Sequence, residues 1–288
     1  MSVKPRYTMH GGYRMPLGFP AENFSSALEY RAEPGDIILS TYPKCGTTWV
    51  QYIIYLLFHG AEPLRDGESL GDAIPHLEEV GAEAATRLPQ PRVIKTHFTR
   101  EMTPYHPDAR YLVVARNPFD CAVSFFHHTR GFVKHYDFAA GTFDDYFECF
   151  IKGEVDSGDY FDHLGPWFEA RLENNVLFLT YEEMKRDSTN AVAKIATFLS
   201  LPEASNPEFL SRVVEQSSFS RMREDQDRWS SRRPDDMPAF VRRGIVGDWK
   251  NLFSDDQARR LADKFDDEAK RYGFGALWPE QLREARQE

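Results

Sequence analysis

The sequence predicts a single α/β domain built on a central parallel sheet flanked by helices, and three observations carry that prediction. Four short apolar runs, at residues 36–43, 92–97, 111–117 and 176–184, each hand over to turn chemistry or to a helical pattern. The runs are apolar at consecutive rather than alternate positions, as strands covered on both faces require. The stretches between them carry stripes at helical spacing, such as Phe143, Phe147, Phe150 and Val192, Ile195, Phe198, Leu199. Strands that alternate with helices favour a parallel sheet over a sandwich or a bundle.

Taken in order, DIILSTYP (36–43) is the first strand, and Trp49, Ile53, Leu56 and Leu57 then mark a helix. RVIKTH (92–97) is the second strand and YLVVARN (111–117) the third. Asn117 and Pro118 supply an N-cap and an N1 proline for a helix through His128. Residues 142–172 read as amphipathic helix, VLFLTYEEM (176–184) as the fourth strand, and 187–215 as helix again. Residues 223–238 are charged, hold Pro234 and Pro238 and lack an apolar period, which predicts a mobile surface loop. Ser254 opens a last helix over about 254–272, with Leu261 and Phe265 on one face. No repeat or linker divides the chain, so residues 1–288 are expected to form one domain with a motif-bearing core over about 36–251.

Composition narrows the function classes. With 288 residues, 41% of them hydrophobic, the chain can bury a substantial core. Mean hydropathy is −0.55, and the most apolar helical stretch, Trp49 to Phe58, falls short of the roughly 20 residues a bilayer span needs. No membrane span is expected. The opening MSVKPRYTMHGGYR lacks the apolar run of a secretory leader, so a cytoplasmic location is expected. Cys45, Cys121 and Cys149 are odd in number and widely spaced, which suggests neither a disulfide framework nor a zinc site. A net charge of −10 disfavours nucleic acid as a partner. An anionic ligand must therefore meet local basic residues, and Lys44, Arg116, Arg242 and Arg243 are the candidates.

Ligands of parallel α/β sheets bind beyond the carboxyl ends of the strands, where this chain places TYPKCGTT, KTHF and ARNPFDCAVS. The run Lys44-Cys45-Gly46-Thr47-Thr48 opens a helix with free amides, a glycine, two hydroxyls and an ammonium. That describes a phosphate cradle, although a plain capped turn has the same composition. The Walker order is absent, because Lys44 precedes Gly46 instead of following it. Arg116 ends an apolar strand and reads as an anion ligand. Arg242 and Arg243 alone read as a solvated pair, and Ser217 and Met222 alone as helix surface and core. His97 ends a strand two residues after Lys95 and beside the cradle.

Together YPKCGTTW, KTH, ARNPFDCAVSFFHH, YEEM, SSFSRM and FVRRGIVGDWKN resemble, in order, the motifs of cytosolic sulfotransferases. That resemblance implies a P-loop-like phosphosulfate-binding loop and a sulfuryl donor, 3′-phosphoadenosine 5′-phosphosulfate, acting on a hydroxyl or amine. By the same resemblance Lys44, Cys45, Gly46, Thr47, Thr48 and Trp49 hold the 5′-phosphate, with Trp49 near the adenine. Arg116 and Ser124 match ligands of the 3′-phosphate, and Arg242, Arg243 and Gly244 a second grip on it. Tyr181, Ser217, Phe219, Met222 and Phe240 align with positions around adenine or ribose. His97 is the implied general base, with Lys44 and Lys95 following charge onto the leaving group. No carboxylate cluster beside the cradle suggests a cation, so no metal is expected.

The chain departs from the family pattern at Cys45, where serine is usual, and a thiol is the weaker donor. The family's dimerisation pattern is matched poorly by Lys250, Ser254, Asp255 and Arg259, which makes a monomer at least as expected as a dimer. The acceptor is expected to be small and phenolic, with a steroid or aliphatic alcohol as the alternative. Phe125, Phe126, Phe132, Tyr136 and Phe138 offer an aromatic pocket or ordinary core. His76 and Glu79 stand where the family commonly carries aromatics; Glu79 reads first as an exposed helix residue, and the alternative is that Glu79 or His76 pairs with the ammonium of an amine-bearing phenol. Two further readings stay open: an atypical P-loop kinase, requiring Mg²⁺ and a nucleoside triphosphate, and a nucleotide-binding domain without turnover.

Overall fold

The computed structural model describes residues 3–224, 226–229, 234 and 237–287. An N-terminal hairpin of β1 (Thr8–His10) and β2 (Tyr13–Met15) leads into α1 (Ala21–Glu29). The sheet then alternates with helices: β3 (Ile37–Thr41), α2 (Thr47–Phe58), α3 (Leu70–Ala73), α4 (Leu77–Thr86, broken at Gly81), β4 (Val93–Thr96) and β5 (Arg110–Ala115). Next come α5 (Pro118–Gly131), α6 (Val133–Tyr136), α7 (Phe143–Phe150), α8 (Tyr160–Ala170) and β6 (Val176–Thr180). The chain closes with α9 (Tyr181–Arg186), α10 (Ser188–Phe198), α11 (Pro207–Gln216), α12 (Phe219–Glu224), α13 (Asp255–Tyr272) and α14 (Pro279–Arg286).

The four sheet strands run parallel in the order β4-β3-β5-β6. Successive side chains of one strand enter different cores, because strand side chains alternate between faces. Ile37, Leu39, Leu112 and Val114 join the core under α2, α10 and α11. Ile38, Ile94, Tyr111 and Val113 join the core against α1 and α4. A third, aromatic core gathers α5, α7, α8, α13 and α14. Covering both faces explains why the strands read as continuous apolar runs. Register brings the carboxyl ends level: Ser40 pairs with Thr96, Thr41 with Val114 and Ala115 with Thr180. One edge of the sheet therefore releases His97, the Lys44 loop, Arg116 and Tyr181 side by side.

The expected α/β architecture is present, with shorter elements. The fourth strand stops at Thr180, which caps α9 through a reciprocal pair with Glu183, so Tyr181-Glu182-Glu183-Met184 is helix rather than strand. The stretch 142–172 divides into α7 and α8 around a turn where Gly153, Ser157 and Gly158 have positive φ. The stretch 187–215 divides into α10 and α11, with Ser200 at φ 59° and a 3₁₀ turn over Pro202–Ser205 between them. Asn117 caps α5 by accepting from the Asp120 amide at 2.9 Å, and the helix continues one turn beyond His128. Ser254 caps α13 as its sequence position predicted. Much of the expected loop 223–238, namely 225, 230–233, 235 and 236, lies outside the described residues. No helix among the described residues is long and apolar enough to cross a membrane.

Candidate active site

A cavity of about 720 Å³ opens at the carboxyl edge of the sheet. Seven basic residues (Lys44, Lys95, Arg116, Lys185, Arg228, Arg242, Arg243) and four acidic ones (Asp72, Glu78, Glu79, Asp156) line it. A chain of net charge −10 thus gathers local positive charge in one cleft, where it concentrates an anion.

The cradle loop leaves β3 and turns sharply: Lys44 has φ 70° and Gly46, the N-cap of α2, has φ 100°. Glycine is required at 46 for a second reason, since a Cβ there would lie 2.9 Å from the Tyr181 ring. Gly46→Ala is expected to cost about 1–2 kcal/mol of stability from the left-handed backbone and to weaken nucleotide binding by displacing Tyr181. Thermal unfolding and calorimetric titration with adenosine 3′,5′-bisphosphate read both effects. Gly244 repeats the logic across the cavity, where an added Cβ would meet the Phe219 ring at 2.4 Å, with φ 62°. Trp49 meets Tyr181 edge to face at 5.7 Å, and the Lys185 ammonium stands 5.8 Å from the Trp49 ring. Lys185 carried no signal that distinguished it in the sequence.

Arg116 is 7% exposed and ties the two sides of the cleft together. Its guanidinium donates to the Lys44 carbonyl at 3.3 Å and to the Ile245 carbonyl at 3.2 Å, and lies 4.5 Å from the Tyr181 ring. Its Nε is buried without a partner. Arg242 and Arg243 both reach Asp248, the latter at 2.5 Å, and Asp248 is buried. Burial pushes the Asp248 carboxyl up, but the two arginines outweigh that and hold it below its ordinary value. The pair is thus anchored on a buried carboxylate rather than free in solvent. Asp120 fixes the segment behind it by accepting the Gly247 and Trp249 amides at 2.8 and 3.0 Å.

His97 sits one residue beyond β4. Its Nδ1 is 2.7 Å from the Thr41 carbonyl, which can only accept, so Nδ1 carries the proton and Nε2 keeps a lone pair. Its amide donates to Glu78 at 2.6 Å, and Thr96 donates to the same carboxyl oxygen at 3.0 Å. Glu78 reaches this place because residues 74–76 run along the outer edge of β4, with His76 bridging Lys95. Burial pushes the Glu78 carboxyl up, yet His76, whose Nε2 is 3.3 Å away, outweighs that and holds it at about 2. Burial, His76 and Lys95 push the His97 imidazole well below its ordinary value. Burial likewise lowers Lys95. The Lys44 ammonium lies 3.3 Å from His128 Nδ1 and 4.3 Å from the Phe240 ring.

The structure places Lys44, Gly46, Thr47, Thr48, Trp49, His76, Glu79, Lys95, His97, Arg116, Ser124, Tyr181, Ser217, Phe219, Met222, Phe240, Arg242, Arg243 and Gly244 on this one cavity. Ser217 is buried with its hydroxyl donating to the Val213 carbonyl at 2.8 Å, so only its lone pairs are left for a ligand. Two sequence expectations need correction. Cys45 is fully buried and turned away from the cavity, its sulfur 3.8 Å from that of Cys121, so the thiol replaces no phosphate donor. Cys45→Ser is expected to leave nucleotide affinity within about threefold while costing roughly 1–3 kcal/mol of stability for a buried hydroxyl, read by titration and denaturant unfolding. Phe125 is fully buried too, packed on Tyr42 and Tyr146 with Phe126 and Phe138 in the same core. Of the expected aromatic pocket, Phe132 and Tyr136 line the cavity. Sequence reasoning passed over Glu78, Thr41, His128 and Asp156. Among the described residues, no group of three or more His, Cys, Asp or Glu side chains is arranged to hold a metal ion.

Residues 34–273 match a family model described as a sulfotransferase domain. Human Sulfotransferase 1C2 is 34% identical over 259 residues, which covers 83% of this chain and 85% of that protein. Mouse Sulfotransferase 1B1 is 33% identical over 266 residues, 87% of each chain. The solved structure of mouse sulfotransferase SULT7A1 complexed with PAP aligns with TM-score 0.75 and 27% identity over 98% of both chains.

Proposed function

This chain belongs to the sulfotransferase family, and we propose that its cavity seats 3′-phosphoadenosine 5′-phosphosulfate beside a small phenolic acceptor, with His97 removing the acceptor proton. The donor fits what the residues offer. At Gly46 and Gly244 a Cβ would press on the Tyr181 and Phe219 rings that line the cleft, and the buried Arg116 Nε has no partner within the chain. The observation that carries the reading is the orientation of His97. Held through Nδ1 on a carbonyl and through its amide on Glu78, it presents a neutral Nε2 as proton acceptor.

In the proposed reaction the acceptor oxygen bonds to sulfur while its proton passes to His97 Nε2, and the bond from sulfur to the phosphate oxygen breaks. A positioned base of this kind contributes on the order of 10² to 10⁴ in rate. Lys44 and Lys95 stabilise charge that develops on the transferring and departing oxygens, a contribution of roughly 3–4 kcal/mol per preorganised donor. Arg116, Ser124, Arg242, Arg243 and Gly244 hold the 3′-phosphate. Trp49, Tyr181, Ser217, Phe219, Met222 and Phe240 enclose the nucleoside. Thr47 and Thr48 cap the 5′-phosphate at the start of α2, where the helix dipole adds to their hydroxyls. Cytoplasmic residence completes the proposal, with a monomer at least as expected as a dimer. The three described cysteines are free, as a reducing compartment allows, and Lys250 pairs within the chain with Glu284 at 2.6 Å.

Labelled sulfate transfer to a panel of phenols, alcohols and amines tests this reading. Phenols are expected to give the highest kcat/KM; faster transfer to aliphatic alcohols or steroids refutes the phenolic acceptor. Because the His97 imidazole is held below its usual value, its base form survives into acid. The acid limb of kcat/KM is therefore expected below about pH 6.5, the ordinary histidine value, and a limb at or above that pH assigns the titration to another group.

A further inference from the structure

We propose that Asp156 is the specificity residue of the acceptor site and selects acceptors carrying a second hydrogen-bond donor, a hydroxyl or an ammonium, remote from the reacting oxygen. The inference rests on the phenolic-acceptor reading above. Asp156 lies in the turn between α7 and α8, lines the cavity and is 5% exposed. Its Oδ2 accepts from the Tyr136 hydroxyl at 2.8 Å, while its Oδ1 is buried with no partner. A buried acceptor left unfilled is costly, and one on a cavity wall is satisfied by whatever enters the cavity.

The other carboxyls of the lining are ruled out for the role. Glu78 is committed to His97 and Thr96. Asp72 is exposed, and Glu79 is 55% exposed at its side chain, where water screens a pairing and leaves little discrimination. Glu78 and Asp156 are the two desolvated carboxyls of the lining, and the second oxygen of Glu78 faces His76 Nε2 at 3.3 Å, which leaves Asp156. Its surroundings are otherwise suited to a ring: Tyr136 packs on His128 at 5.8 Å, and His97, His76, Phe19 and His135 follow one another at ring distances of 4.9 to 6.1 Å. A phenol lying against these rings with its hydroxyl at His97 carries its far end toward a carboxyl with an open lone pair. Burial pushes the Asp156 carboxyl up to about 7, and a donor arriving at Oδ1 counters that burial.

The test uses para-substituted phenols of equal chain length ending in methyl, hydroxyl or ammonium. With the intact protein, kcat/KM for a donor-terminated phenol is expected to exceed that of the methyl-terminated one by about tenfold or more, the order expected when a buried acceptor is left unsatisfied. Asp156→Asn is expected to erase the preference for ammonium, and Asp156→Ala the preference for both. Glu79→Gln is expected to keep them. Affinity for adenosine 3′,5′-bisphosphate, unchanged in all three variants, certifies the fold; if Asp156→Ala fails that check, the isosteric Asp156→Asn decides on the ammonium phenol. Which terminus gains more separates hydroxyl from ammonium recognition. A methyl-terminated phenol used as well as either partner, or a preference that survives loss of the carboxylate, overturns the proposal. If no phenol of the set is sulfated but another acceptor class is, the phenolic reading falls and takes this inference with it.

Discussion

Replacing His97 by alanine is expected to lower kcat by about 10² or more, while the dissociation constant of adenosine 3′,5′-bisphosphate changes by less than about threefold. The asymmetry follows from where the side chain is anchored. His97 spends Nδ1 on the Thr41 carbonyl and its amide on Glu78, so only Nε2 remains, and in the proposed reaction that nitrogen meets the acceptor rather than a phosphate. Steady-state kinetics with a phenol, paired with calorimetry on the product nucleotide, separates the two effects. Loss of nucleotide affinity in step with kcat moves His97 into the nucleotide shell. Glutamine at 97 is expected to restore binding geometry without turnover, because an amide accepts a hydrogen bond but takes no proton near neutral pH.

Arg116→Ala is expected to act in the opposite sense. The guanidinium braces the Lys44 and Ile245 carbonyls and is the most buried cation among the proposed phosphate ligands. Removing it unties the two sides of the cleft and, in the proposed binding mode, takes charge-assisted bonds from the 3′-phosphate. A loss of about 1.5–3 kcal/mol per such bond corresponds to nucleotide affinity weaker by roughly 10- to 150-fold. Comparison of adenosine 3′,5′-bisphosphate with adenosine 5′-phosphate isolates the phosphate term. The intact protein is expected to prefer the bisphosphate strongly, and the variant to lose most of that preference. A preference that persists in the variant assigns the 3′-phosphate to Arg242 and Arg243 alone.

Much of the cleft was legible in the sequence, because parallel strands deliver their carboxyl ends to one edge and the residue after each strand is then a site residue by topology. His97, Arg116 and Tyr181 each follow a strand by one position. Pattern within a loop was not legible. Cys45 lies between two cavity-lining neighbours, and only the turn at Lys44 and Gly46 decides that its thiol faces Cys121. On α5 the information was present but unused. Ser124 and His128, four residues apart, share the cavity face, and Phe125 one residue on is carried round the helix into the aromatic core. Glu78 and Asp156 were invisible for a different reason, since burial of a carboxylate is decided by partners distant in sequence: the His97 amide for one, the Tyr136 hydroxyl for the other. The two arginines at 242 and 243 look solvated in sequence because their counter-charge, Asp248, becomes a partner only through the turn at Gly244 and Gly247.

In the proposed reaction transfer is direct within one cavity, with His97 as base and not as a covalent carrier. Single turnover of protein loaded with sulfur-labelled 3′-phosphoadenosine 5′-phosphosulfate, with and without a phenol and in the presence of a chelator, tests it most directly. Label is expected to move to the phenol in step with release of adenosine 3′,5′-bisphosphate, and without phenol to stay on the nucleotide. Label attached to the protein before any acceptor is added, or transfer abolished by the chelator, would contradict it.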